Sequence, residues 1–303
     1  MAKSKNKSQK TTSELPRKEG PTKTLDGSEI TEFFPFARYT SVVGVQTTLL
    51  AFAALFLPRT TFLFELTKPS RDPAFISSRD KPQHPFLEPI TLSPTATLAS
   101  ICLGVFMIQG WWGGWVRNWW VDYALRGSHD EKKLDRHLVE KQRGSALRRA
   151  WVTTLVASFV LHGILVLFGA PLTSFGVQTY LLALLLSLLM VFTPAYSLGS
   201  PTLSNDSQAV VNRMMWIRLF AEFAIKTPVE RAIVYPAVGA AVGSWVGIIP
   251  IALDWDRPWQ AWPLTPAFGA ILGYILASMV ALTASATTHL AKEHVRSLKP
   301  TKI

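Results

Sequence analysis

Six stretches of about twenty or more residues contain no Asp, Glu, Lys or Arg, and nothing else in the chain constrains its fold as strongly. They lie at Tyr39–Leu57, Thr91–Val116, Trp151–Gly169, Val177–Leu198, Ala232–Leu253 and Pro263–Thr288. A bilayer core of ~30 Å is crossed by about 20 helical residues at 1.5 Å rise each. Any charge at the centre of such a helix would cost about 2.5–3.5 kcal/mol. Lipid offers no partner to backbone N–H and C=O groups, so each uncharged run must satisfy them internally, as a helix does. The expectation is an all-α, polytopic membrane protein with about six transmembrane helices.

The connecting segments carry the charge. A formal net charge of +11 would suit a nucleic-acid partner if it were gathered on one soluble face, but the Lys and Arg residues fall almost entirely between the apolar runs. Counted by loop, 25 Lys and Arg lie on the side of the N-terminus and 6 on the other. Basic short loops stay inside, so both termini are expected in the cytosol, and no nucleic-acid partner is implied. The reading divides the chain into a basic, disordered cytosolic N-terminus at 1–38, a six-helix transmembrane domain at 39–288 and a basic cytosolic tail at 289–303. Residues 1–38 lack the apolar stretch of a signal peptide, which leaves the first spanning helix as the targeting signal. The Pro-rich segment from Pro58 to Ile90 reads as an extended connector on the opposite side of the membrane. The sequons at Asn6 and Asn205 both fall in segments that the charge count places in the cytosol.

Few residues offer chemistry. Cys102 is the single cysteine, so intrachain disulfides and cysteine-based metal sites are excluded. His162 is the one ionisable-type side chain well inside a span, with no acidic residue in a span to pair with it. The remaining histidines are scattered without the spacing of a zinc site, and no cofactor or metal is expected. Trp111, Trp112, Trp115, Trp119 and Trp120 near the end of the second span read as an aromatic belt at the headgroup level. Gln208–Lys226 reads as an amphipathic interfacial helix, with Arg218, Glu222 and Lys226 on one face.

Two features near the end of the chain stand out. Gly239, Gly243 and Gly247 recur every four residues, as do Gly269, Gly273 and Ala277 on the following span. Such stripes permit close helix packing, with a partner helix in this chain or in another protein. Between the two helices lies Asp254-Trp255-Asp256-Arg257-Pro258-Trp259-Gln260-Ala261-Trp262-Pro263, the densest polar motif in the chain. Its carboxylates could hold a divalent cation and Arg257 could pair with phosphate. Alternatively, the Asp and Arg residues pin a hairpin whose tryptophans anchor at the interface.

That motif, preceded by Ile249-Pro250-Ile251-Ala252-Leu253, resembles the signature of the PIG-F family, membrane proteins of glycosylphosphatidylinositol (GPI) anchor synthesis. Glu230-Arg231-Ala232-Ile233-Val234-Tyr235-Pro236, the Gly239/Gly243 stripe with Trp245, and Val191-Phe192-Thr193-Pro194-Ala195-Tyr196-Ser197-Leu198-Gly199 are similar too. The resemblance covers roughly Trp151 to Ala286 and departs at Ala252, where a proline is expected. It implies a multi-pass protein of the endoplasmic reticulum that stabilises the large catalytic GPI ethanolamine-phosphate transferases without being an enzyme itself. Asp254, Trp255, Asp256, Arg257, Pro258, Trp259 and Gln260 would then recognise partner or substrate, and Gly239, Gly243, Gly247, Gly269 and Gly273 would pack helices. Glu230 and Arg231 would form a motif on the cytosolic side. Membrane lipids are expected partners, with the GPI precursor a candidate among them. The competing reading makes Asp254, Asp256 and Arg257 a lumenal, metal-assisted site that transfers lipid head groups.

Overall fold

The computed structural model describes residues 34–60, 84–124, 136–137, 140–171, 173–253, 255 and 257–298. Among them there is no strand, and six helical segments are long and apolar enough to cross a membrane. The principal helices are α1 (Phe36–Leu55), α2 (Pro94–Ala124), α3 (Arg143–Leu167), α4 (Gly176–Met190), α5 (Phe192–Leu198), α6 (Ser207–Trp216), α7 (Pro228–Val246) and α8 (Leu264–Leu298). The fourth span comprises α4 and α5 together.

Local chemistry sets the helix ends. Ser93 starts α2: its Oγ accepts from the Ala96 N–H at 3.4 Å, and Pro94 fills the first helical position, where a missing N–H costs nothing. The break between α4 and α5 at Val191 lies three residues before Pro194, which has no N–H to continue the ladder. Gly199 ends α5 with φ of 92°, a conformation that favours glycine. Thr227 opens α7 as a capping box with Glu230, again with a proline at the first position.

The α4–α5 span is central, with 78% of its apolar window buried, whereas the corresponding figure for α3 is 17%. Leu182, Leu185 and Leu189 of α4 pack with Leu98, Ile101 and Val105 of α2 and with Ala267, Ala270 and Ile271 of α8. By contrast Val152, Leu155, Val156, Phe159 and Val160 of α3 are exposed. An outer face this apolar suits lipid rather than water.

Several expectations require correction. α2, α3 and α8 all run past the uncharged segments, and α8 continues beyond Thr288 to Leu298 with an Arg296–Glu293 pair at 2.8 Å on its final turns. Helices do not stop where the bilayer does, because their hydrogen bonds are internal. The tryptophan cluster is not simply a surface belt. Trp112 and Trp119 are buried, Trp115 stacks on Tyr39 of α1 at 5.9 Å, and Trp111 alone of the five is exposed. The amphipathic helix is also shorter than expected. α6 passes into a π-helical turn at Ile217–Ala221, and the chain then reverses through Phe223 at φ 52°. Glu222 and Lys226 therefore do not continue the face of Arg218.

Candidate functional site

The residues singled out in the sequence fall at the two ends of the α7–α8 hairpin and along the seam between. At the seam, α7 and α8 meet backbone to backbone. A Cβ added to Gly239 would strike the Gly273 carbonyl and Ala277, and one added to Gly243 would strike the Gly269 carbonyl. One on Gly247 would meet the Thr265 carbonyl, while Gly269 and Gly273 stand against the carbonyls of Gly243 and Gly239. The two stripes are thus each other's partners within one chain.

At the far end of the hairpin the chain makes short 3-10 turns at Ile249–Ala252 and Pro258–Gln260. Gln260 organises this loop. Its Nε2 donates to the carbonyls of Pro250 at 2.6 Å and Leu253 at 2.7 Å, and its Oε1 accepts from the Arg257 N–H at 2.8 Å. Trp262 fastens the loop to the bundle by donating its indole N–H to Thr179 Oγ1 of α4 at 3.0 Å. Trp255 is exposed, with its ring 5.7 Å from that of Trp259, and Arg257 is exposed as well. Asp254 and Asp256 lie outside the described residues. Among the described residues no three His, Cys, Asp or Glu side chains gather in a way that could hold a metal.

Glu230 sits at the opposite end. It is almost wholly buried, and three donors hold its carboxylate: Arg218 Nη2 in an ion pair, the Lys226 N–H at 2.7 Å and the Thr227 N–H at 3.0 Å. Arg218 also donates to the Ala224 carbonyl at 3.0 Å, tying the reversal after the π turn to the start of α7. Adjacent Arg231 points elsewhere, and its Nη1 is buried without a hydrogen-bond partner. The Glu230/Arg231 motif and the 254–260 motif are therefore not brought together.

The sequence reading missed a layer of uncharged polar groups inside the bundle. Gln46 of α1 donates to the Tyr274 hydroxyl of α8 at 3.0 Å, and Thr193 of α5 donates to Gln109 Oε1 of α2 at 3.0 Å. All four side chains are buried. Glutamines within apolar runs were the available signal, because amides in lipid seek partners on neighbouring helices. His162, which the sequence did single out, lies edge-on to Tyr180 at 5.9 Å between ring centres.

A family model described as "GPI biosynthesis protein family Pig-F" matches residues 80–282, about two thirds of the chain. It reaches back well before Trp151, where the recognisable motifs begin. The chain is 36% identical over 123 residues to the human "GPI ethanolamine phosphate transferase, stabilizing subunit", covering 40% of this chain and 50% of that one. It is 40% identical over 125 residues to "Glycosylphosphatidylinositol anchor biosynthesis protein 11" of Pyricularia oryzae, with 41% and 42% covered. The protein of the same name in Debaryomyces hansenii is 38% identical over 146 residues, with 48% and 58% covered. The chain spans about half the length of these curated relatives. No solved structure matches it. With six apolar helices, a glycine seam between α7 and α8 and a family match across both hairpin motifs, the chain belongs to the PIG-F family of GPI biosynthesis proteins.

Proposed function

We propose that this chain is a non-catalytic membrane subunit that stabilises a GPI ethanolamine-phosphate transferase complex and so supports addition of phosphoethanolamine to GPI mannoses. The observation that carries the reading is the 36% identity over 123 residues to the human stabilising subunit of that transferase. Its setting is the endoplasmic reticulum membrane, with both termini cytosolic, 1–38 and 289–303 as basic flanks and 39–288 as the membrane domain. The partners are the large catalytic subunits, and the exposed Trp255 and Arg257 suit recognition of partner or lipid substrate at the lumenal loop. Gln260 contributes indirectly, since its three hydrogen bonds give the loop its shape.

Affinity purification from native membranes tests the proposal. A large transferase subunit should co-purify, the chain alone should transfer no phosphoethanolamine, and depletion should leave GPI intermediates lacking that group by mass spectrometry. Fully modified GPI precursors at normal levels after depletion would overturn it.

A further inference from the structure

A cavity of about 470 Å³ opens at the end of the bundle that carries Glu230, between α2, α3, α5 and the start of α6. Arg117, Arg149, Ser197 and Asp206 are among its polar lining residues, and Val121 and Ala146 are among its apolar walls. We propose that this cavity binds the phosphate of an anionic glycerophospholipid headgroup.

The first support is charge. Arg136 pairs with Asp122 at 3.4 Å and Arg143 with Glu140 at 2.9 Å, but neither Arg117 nor Arg149 forms an ion pair among the described residues. Arg117 has Arg143 and Arg149 as neighbouring like charges and Glu140, itself paired with Arg143, as the opposite one. Asp206 is the one acid on the lining, and it already accepts from Ser204 Oγ at 2.8 Å. Two arginines against one aspartate leave a single positive charge, which a phosphodiester neutralises.

The second support is a buried hydroxyl. Ser197 is 4% exposed and its Oγ has no hydrogen-bond partner, a rare condition for a buried polar atom. The surroundings are built to hold shape. Arg117 Nη1 donates to the Tyr196 carbonyl at 2.7 Å, with its guanidinium 5.1 Å from the centre of the Tyr196 ring. Trp216 donates to the Gly199 carbonyl at 2.9 Å and fixes the backbone just past Ser197.

The third support is position. The cavity lies where α2 leaves its uncharged segment at Arg117 and α3 enters its own after Arg143, Arg148 and Arg149, the depth at which headgroups sit beside acyl chains. An apolar wall next to paired cations fits a glycerol-linked phosphate better than a freely soluble ion.

Native mass spectrometry of the full chain in detergent, incubated with equimolar phosphatidylinositol and phosphatidylcholine, tests the assignment. The wild type should retain phosphatidylinositol preferentially. R149Q should weaken that retention by about tenfold, the scale of one charge-assisted hydrogen bond. Arg149 is the more informative position, because it is exposed and its own contact is a long one to the Ser145 carbonyl at 3.4 Å, whereas Arg117 also braces Tyr196. R59Q, after α1, should retain lipid as the wild type does. Equal retention of the two lipids, or R149Q indistinguishable from wild type, would overturn the proposal. Displacement of bound phosphatidylinositol by inorganic phosphate would overturn the lipid assignment in favour of a soluble phosphate.

Discussion

Glu230 is a buried carboxylate whose meaning depends on a residue twelve positions earlier. Arg218 reaches it because the helix before α7 breaks through a π turn and folds back. With two backbone N–H groups on the same carboxylate, Glu230 fastens the reversal and caps α7 at once. Glu230→Ala leaves a partly buried guanidinium and two backbone donors without their acceptor, and about 3–5 kcal/mol of stability should be lost. Glu230→Gln keeps one oxygen for those donors and should cost distinctly less. Thermal unfolding of the purified variants in one detergent checks the order, and equal melting temperatures for the two would contradict it. The sequence brought Glu230 forward through family resemblance but gave no hint of Arg218, which it placed on a continuous polar face with Glu222. Spacing along an assumed helix cannot anticipate a π turn. Gln260 presents the reverse situation. Its place in a family motif was plain, yet its work as the stitch of the loop depends on carbonyls seven and ten residues earlier.

Among the elements, the α7–α8 hairpin is where pattern and structure agree most closely and also where the pattern says too little. Four-residue spacing puts Gly239, Gly243 and Gly247 on one face of a helix whatever surrounds it. That spacing encodes a close approach without naming what approaches, since lipid gives no hydrophobic bias toward one helix over another. Because the partner stripe is Gly269/Gly273 of the same chain, Gly243→Leu should damage this protein before it damages any complex. The new side chain would meet the Gly269 backbone, which cannot swing aside as a flexible side chain can. A loss of about 1–3 kcal/mol or more is expected. The matched control is Gly44→Leu on α1, where an added Cβ has nothing within 4 Å and the cost should be small. Melting of the isolated chain discriminates the two; a Gly243→Leu protein as stable as wild type would contradict the backbone contact. Burial of the tryptophans on α2 was not legible for a related reason. Five indoles near a span end satisfy either a belt or a packed seam, and only the placement of Tyr39 on α1 decides for the seam.

At the scale of the whole molecule, six spans could be counted directly because charge is so costly in lipid that the apolar runs are uninterrupted. Their arrangement was not legible: α3 and α4 have similar hydropathy, yet one lies at the rim and the other at the centre. The asymmetry of Lys and Arg sets the expected topology. We expect Asn205 to carry no glycan, whereas a sequon introduced between residues 61 and 83 should gain one. An endoglycosidase shift on gels reads both, and a glycan at Asn205 would invert the orientation. The Gln46–Tyr274 bond adds a constraint of a different kind, because it joins the first spanning helix to the last across 228 residues. A ribosome makes the two ends of that bond far apart in time. Gln46 enters the bilayer with a polar amide that its eventual partner cannot yet reach, and it must keep water, lipid headgroups or another protein as company until α8 emerges. Nascent chains stopped before α8 therefore carry an unfinished interior, so quality control could distinguish a chain that includes α8 from one that lacks it by a single buried amide.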